Sequence, residues 1–262
     1  MIRRIDVLSY NNALRQLSPM WKSSFAALML LLSYTVHPVL QAAITLWMMS
    51  WCVLQARIPL RAYGMLFGTA LLFYALSVPA LLVEFGHPAA GEAGIFPLPG
   101  LNLPVYVTAA GLQRAGELLA RISACMSCFF FLMFTTPFSE LLQVLRRLRM
   151  PQIVLELMLI MYRFLFLLSD AAHGLLLARR LRGGRRGYKA KLRETAAMAG
   201  ALFGNTMHRY NGLSQGLLAR GFTDEIILPP YTARPVPRRY AVQAYAGIAV
   251  LVLAQLWLWT RG

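Results

Sequence analysis

The chain has 262 residues, of which 58% are hydrophobic and only 14% are charged, and its mean hydropathy is +0.55. A soluble domain of this size cannot bury so large an apolar fraction, so the composition excludes that class and predicts an integral membrane protein in contact with the lipid bilayer. The formal net charge of +16 does not indicate nucleic-acid binding, because the basic residues lie between apolar runs too long for such a domain.

The first long apolar run carries no formal charge between Lys22 and Arg57. A single helix of this length would reach roughly 50 Å, well beyond the ~30 Å hydrocarbon core, so the run must fold back once. Pro38 lies near its middle and disfavours helix in the residue before it, which predicts a tight turn at 36–38 between two short spans. The N-terminus lacks an apolar core followed by a small-residue cleavage site, so we expect no removable signal peptide.

Three further spans are predicted from length and hydropathy, at 62–83, 111–137 and 240–260. Basic residues precede the first span and separate the second from the third, whereas the connection 84–110 contains no Lys or Arg. The excess of basic residues on the cytoplasmic side therefore predicts that the N-terminus is inside, while 84–110 and the C-terminus are outside.

The fourth span carries three charged residues at helical spacing, Arg114, Glu117 and Arg121. They fall on one face, where they can neutralise each other. We interpret them as structural.

From 138 to 239 the chain is strongly basic, with eight Lys and Arg between Arg179 and Arg193, so we predict that this region is cytoplasmic. It contains three predicted helices, a short amphipathic one at 138–150 and two long ones at 152–181 and 191–220. The predicted domains are an N-terminal region of four spans at 1–137, a coupling-helix region at 138–239 and a C-terminal span at 240–262.

The helix at 152–181 is apolar enough to span the membrane, which is the main alternative to this topology. If it did span, the basic cluster that follows would be exported, against the positive-inside bias. Glu156, Arg163 and Asp170 also recur every seven residues and form one charged stripe. Both features favour a helix at the cytoplasmic face, buried against partners.

The last long helix has small residues at four-residue spacing, and the glycines of this stripe are Gly200, Gly204, Gly212 and Gly216. Such spacing lets another helix cross at close range. Glycine costs about 1 kcal/mol in a helix interior relative to alanine, so the stripe indicates a packing demand. Plain helix packing without a coupling role is the alternative.

Both long helices end in Leu-Leu-Ala followed directly by arginine, which gives the triplets Ala178, Arg179, Arg180 and Ala219, Arg220, Gly221. Alanine permits close approach, arginine offers a planar fork for a carboxylate, and glycine ends a helix in a left-handed cap. The pattern indicates two contacts for acidic sites on a partner. Basic residues that only complement the helix dipole or lipid headgroups are the alternative.

Several segments together carry a family resemblance: IDVLSYNNALRQLSPMWK, TTPFSELLQVLRRLRMP, MYRFLFLLSDA and the two Ala-Arg-Xaa triplets. Over nearly its whole length the chain resembles the transmembrane T component of energy-coupling factor (ECF) transporters, specifically the CbiQ type associated with cobalt uptake. The resemblance implies an all-α integral membrane protein with about five transmembrane helices and a cytoplasmic-side module of one short and two long crossing coupling helices.

The same resemblance implies the partners and the role. The triplets of such proteins contact grooves on a pair of ATPase subunits, and their long helices cradle a substrate-binding membrane subunit. Carried over, Arg179 and Arg220 are the ATPase-docking arginines, and the first triplet departs from the Ala-Arg-Gly form at Arg180. The implied function is a non-catalytic coupling subunit of an ATP-driven importer in the cytoplasmic (inner) membrane.

Catalytic, cofactor and metal sites are not indicated. Cys125 and Cys128 lie inside an apolar helix without a further cysteine or a nearby histidine, so a packing role is expected. No phosphate-binding loop of the G-x-x-x-x-G-K-[ST] type occurs, so ATP must be hydrolysed by a partner. An autonomous membrane transporter or channel would need paired broken helices with polar groups at the bilayer midplane, and a membrane enzyme would need a clustered catalytic set.

Overall fold

The computed structural model of the chain describes residues 2–85, 105–107, 109–181, 187–221 and 235–261. Its helices are α1 (Ile2–Tyr10), α2 (Pro19–Thr35), α3 (Pro38–Ser50), α4 (Leu60–Leu82), α5 (Ala109–Thr135), α6 (Phe138–Arg147), α7 (Gln152–Leu181), α8 (Tyr188–Ala219) and α9 (Arg238–Arg261). A 3-10 turn, Ala13–Gln16, follows α1, and a π-helical segment, Trp51–Gln55, extends α3. The predicted all-α membrane class is confirmed.

Two short strands were not predicted. β1 (Val83–Phe85) and β2 (Val105–Val107) pair antiparallel, with Val83 opposite Val107. They lie near the two ends of the connection predicted to be outside. Within that connection, residues 86–104 and 108 lie outside the described residues.

The predicted turn between the first two spans is confirmed. α2 ends at Thr35 and α3 begins at Pro38, where the missing proline N–H costs no helical hydrogen bond. The buried amide Nε2 of Gln41 donates to the carbonyls of Ser33 and Val36 at 2.9 and 3.0 Å. These bonds satisfy carbonyls that the end of α2 leaves without helical donors.

The chain forms two compact units, residues 1–144 with 233–262, and residues 145–232. In the first unit, α5 packs against α2, α3 and α4. Its core contains an aromatic cluster in which the ring of Phe25 lies 5.3 Å from Trp51 and 5.7 Å from Phe131. All three side chains are buried, so they fix the packing of α2, α3 and α5.

A close helix approach in this unit is made at Gly247 of α9. A Cβ built there would lie 2.7 Å from Cζ2 of Trp47 on α3. Any side chain larger than hydrogen would therefore displace the indole ring. Sequence reasoning did not single out this glycine.

Five helices in the described part of the chain are long and apolar enough to cross a membrane, namely Pro38–Gln55, Leu60–Ala80, Gly111–Thr135, Gln152–Leu181 and Arg238–Leu258. Four of them coincide with predicted spans. The set differs from the prediction in two ways. α2, which was predicted to span the membrane, has only 17 residues and is not among the five, whereas α7, which was predicted to lie at the cytoplasmic face, is long and apolar enough to span. The chain is a multi-pass membrane protein, and the placement of α7 at the membrane face stays a prediction.

Candidate functional site

The first triplet forms the last turn of α7, as predicted. Ala178 and Arg180 are exposed, whereas Arg179 is half-buried. Nη2 of Arg179 lies 2.7 Å from Oε2 of Glu194 on α8, and the two side chains are 30% and 24% exposed. The first candidate docking arginine is therefore engaged in an ion pair within its own unit.

Sequence reasoning missed Glu194, although the sequence carried a signal for it. Between residues 171 and 223 it is the single Asp or Glu, and eight Lys and Arg lie between Arg179 and Arg193. An isolated acid beside so dense a basic cluster is expected to find a basic partner. Which partner it takes depends on the packing of α7 against α8, which the sequence does not show.

The second triplet ends α8. Gly221 has a φ of +70°, in the left-handed region, and its N–H donates to the carbonyl of Leu218 at 3.0 Å. The N–H of Arg220 donates to the carbonyl of Leu217 at 3.1 Å. The predicted glycine cap is confirmed. The side chain of Arg220 is exposed just beyond the helix end.

The two triplets lie far apart along the helix axis. Arg179 contacts α8 at Glu194, close to the beginning of that helix. Arg220 follows its last residue, 26 positions after Glu194. At 1.5 Å per residue this corresponds to about 40 Å. The structure therefore presents two separate arginine sites, and one small pocket on a partner cannot receive both.

The glycine stripe on α8 faces open space. A Cβ built at Gly200, Gly204, Gly212 or Gly216 meets no atom within 4 Å. α8 has no buried residue, and its exposed apolar side chains include Phe203, Met207 and Tyr210. No helix in the described part of the chain packs over these four positions, so the predicted close crossing of the two long helices is not seen there and stays a prediction.

A buried polar cluster joins two of the segments that carried the resemblance. Lys22 is 0% exposed, and its Nζ lies 2.9 Å from Oε2 of Glu140 and donates to the carbonyl of Thr135 at 2.8 Å. Nδ2 of Asn12 donates to the carbonyl of Phe134 at 3.0 Å. α5 ends at Thr135, so these side chains supply donors that its last carbonyls lack. The cluster attaches the start of α6 to α2, and sequence reasoning did not predict it.

The charged residues of the fourth span make contacts that the sequence did not specify. The guanidinium of Arg121 lies 5.3 Å from the ring centroid of Tyr34, which joins α5 to α2. Glu117 accepts a hydrogen bond from Nε2 of Gln113 at 3.2 Å. Arg121 is thus held by an aromatic face. Glu117 and Arg121 thus contact neighbours other than each other, and the structural role of the group stays a prediction.

The cysteines are free thiols; Cys52 and Cys128 are buried, and Sγ of Cys125 lies 3.4 Å from Oγ of Ser33. Among the described residues, no group of three or more His, Cys, Asp or Glu side chains is placed to hold a metal ion.

The profile of the CbiQ family, described as Cobalt transport protein, matches residues 10–228. The cobalt transport protein CbiQ of Rhodobacter capsulatus is 32% identical over 198 residues, which cover 75% of each chain. CbiQ of Salmonella typhimurium is 27% identical over 81% of this chain and 94% of its own length. A putative fused cobalt transport protein CbiMQ of Methanocorpusculum labreanum is 27% identical over 89% of this chain and 39% of the relative. The chain belongs to the CbiQ family of cobalt transport proteins, the T component type of ECF transporters.

Proposed function

We propose that this chain is the non-catalytic coupling subunit of an ATP-driven importer for cobalt ions. In this role it joins ATPase subunits on the cytoplasmic side to a substrate-binding membrane subunit. The ATPase subunits hydrolyse ATP, and this chain transmits their opening and closing. Membership of the cobalt transport family supports the substrate class.

The observation that carries the proposal is the pair of arginine sites at the ends of α7 and α8. Arg220 is exposed beside a glycine cap, and Arg179 lies about 40 Å away along α8. An arginine fork binds a carboxylate with two parallel hydrogen bonds when the geometry allows it. Two such sites at this separation suit two acidic grooves, one on each of two ATPase subunits.

The apolar surface of α7 and α8 supports a membrane partner. Only Leu155 is buried in α7, and the glycine stripe of α8 is open. A small-residue stripe permits another helix to approach closely. A relative that carries CbiM and CbiQ in one chain by name also supports an adjacent cobalt-transport partner. We therefore assign this surface to the substrate-binding membrane subunit.

For topology we propose insertion in the cytoplasmic (inner) membrane, with the N-terminus inside and the C-terminus outside. Residues 1–137 and 240–262 form the transmembrane region, and 138–239 form the coupling region. α7 lies at the cytoplasmic face in this arrangement. The basic residues from Arg179 to Arg193 support it, because a spanning α7 would export them.

Co-purification with the ATPase subunits tests the proposal. Truncating one partner of a desolvated charge pair costs about 2 to 5 kcal/mol, so Arg179→Ala/Arg220→Ala should lose the ATPase subunits. Arg193→Ala/Arg209→Ala removes the same charge from exposed positions of α8 and serves as the matched control. Equal retention of the ATPase subunits by both double variants would contradict docking and would favour general attraction to anionic lipid.

A further inference from the structure

We propose that Glu194 is a positioning residue for Arg179, which it holds so that the free edge of the guanidinium faces an acidic groove of the ATPase. The inference deepens the proposed function and rests on it. Glu194 itself need not touch the partner. It acts by orienting the arginine that does.

The contact leaves most of the guanidinium available. It joins Nη2 of Arg179 to Oε2 of Glu194 at 2.7 Å. A guanidinium has five N–H donors in a rigid plane, so a contact at one terminal nitrogen leaves the other edge unused. Because the Arg179 side chain is 30% exposed, the remaining donors can reach a carboxylate outside the chain.

Glu194 lies in a basic environment, and the arginine that it contacts comes from another helix. Lys191 and Arg193 are closer to Glu194 in sequence, and both are exposed. The structure pairs Glu194 with Arg179 of the preceding helix. The single acid of this segment thus contacts the arginine that the triplet pattern singles out.

Stability is a weak explanation for this pair, because both side chains are partly exposed to solvent and such pairs contribute about 1 kcal/mol or less to folding. Orientation is the stronger explanation. A long side chain loses rotamer freedom when it binds a partner, and a side chain already held in place loses less. Arg220 differs from Arg179 in this respect, since its side chain is exposed beyond the end of α8. The two docking arginines are therefore not equivalent: Arg179 is oriented before docking.

The first experiment is a double-mutant cycle. Full-length chain in lipid nanodiscs is titrated with its cognate ATPase subunits, and the dissociation constant is measured for Glu194→Ala, Arg179→Ala and the double variant. Glu194→Ala should weaken binding about 2- to 10-fold, the equivalent of the rotamer freedom lost by one immobilised long side chain. In the Arg179→Ala background it should have no further effect. Unchanged or tighter binding by Glu194→Ala, or an equal loss in both backgrounds, would overturn the inference.

The second experiment separates positioning from a merely structural role. Arg179→Glu/Glu194→Arg restores an ion pair between α7 and α8 but places a carboxylate at the docking position. Its thermal midpoint should match that of the unmodified chain, while ATPase binding stays as weak as in Arg179→Ala. Binding by the exchanged variant equal to that of the unmodified chain would overturn the inference.

Arg220→Ala distinguishes the two levels of the proposal. If it weakens ATPase binding while Glu194→Ala does not, the proposed function stands and the positioning role of Glu194 fails. If neither arginine variant affects ATPase binding, the proposed function fails first.

Discussion

Removing the Lys22 amine should strongly destabilise the membrane unit. The Lys22 side chain is 0% exposed and that of Glu140 is 9% exposed, and their charged atoms lie 2.9 Å apart. Lys22→Met removes the ammonium of a buried ion pair and keeps the carboxylate, a change that typically costs about 3–5 kcal/mol. It also removes the donor to the Thr135 carbonyl. Replacing both partners, as in Lys22→Met/Glu140→Leu, should recover most of the loss, because an apolar pair needs no charge compensation.

The ion pair between Arg179 and Glu194, which is partly exposed to solvent, provides a control for this loss of stability. Glu194→Ala breaks an ion pair of similar length, 2.7 Å, but its side chains are 24% and 30% exposed. Such a pair is worth about 1 kcal/mol or less. The depth of burial, and not the distance, decides which variant unfolds more readily.

Exposure of buried thiols offers a direct assay of unfolding. Cys52 and Cys128 are buried and free, so a thiol-reactive dye reports unfolding of the detergent-solubilised chain. A loss of 1 kcal/mol in unfolding free energy lowers the thermal midpoint of a chain of this size by about 2–4 °C. The loss of about 3–5 kcal/mol expected for Lys22→Met should therefore lower the midpoint by roughly 6 to 20 °C. A midpoint lowered no more by Lys22→Met than by Glu194→Ala would refute the role of burial, and so would a double variant no more stable than Lys22→Met.

Further predictions concern packing, partner binding and topology. Gly247→Val should lower the thermal midpoint by the equivalent of about 1–3 kcal/mol because its Cβ would meet Trp47, whereas Gly200→Ala meets open space and should not lower it. Gly204→Leu should leave that midpoint unchanged, since its Cβ also meets nothing, yet co-purification should show weaker retention of the substrate-binding subunit. A single-cysteine chain carrying Tyr188→Cys should react only with a membrane-permeant reagent in intact cells; reaction with an impermeant reagent would contradict the proposed orientation.

Local sequence rules predicted the helix ends well. Pro38 begins α3 and Gly221 adopts the left-handed conformation after α8. Each outcome depends on the backbone chemistry of one residue, proline without an N–H or glycine without a Cβ. Such signals can be interpreted without knowing what lies across the fold. The same holds for the four predicted spans that qualify in the structure.

Contacts between distant segments could not be predicted. Lys22 and Glu140 are 118 positions apart, and nothing local distinguishes their pairing from other combinations of charge. Glycine periodicity had the same limit, because it singled out Gly204 and its neighbours, while among the described glycines the close approach is at Gly247. Hydropathy cannot decide whether α7 crosses the membrane, since burial against partners and against lipid both select apolar residues.

We propose above all that Arg179 and Arg220 couple ATP hydrolysis to cobalt uptake. The most direct test of this coupling is ATP-dependent uptake of radiolabelled cobalt by the reconstituted transporter, with Arg179→Ala/Arg220→Ala compared with Arg193→Ala/Arg209→Ala. We expect uptake to be abolished in the first double variant and largely kept in the second, because position rather than total charge determines docking. Uptake lost equally in both, or kept in both, would contradict the account.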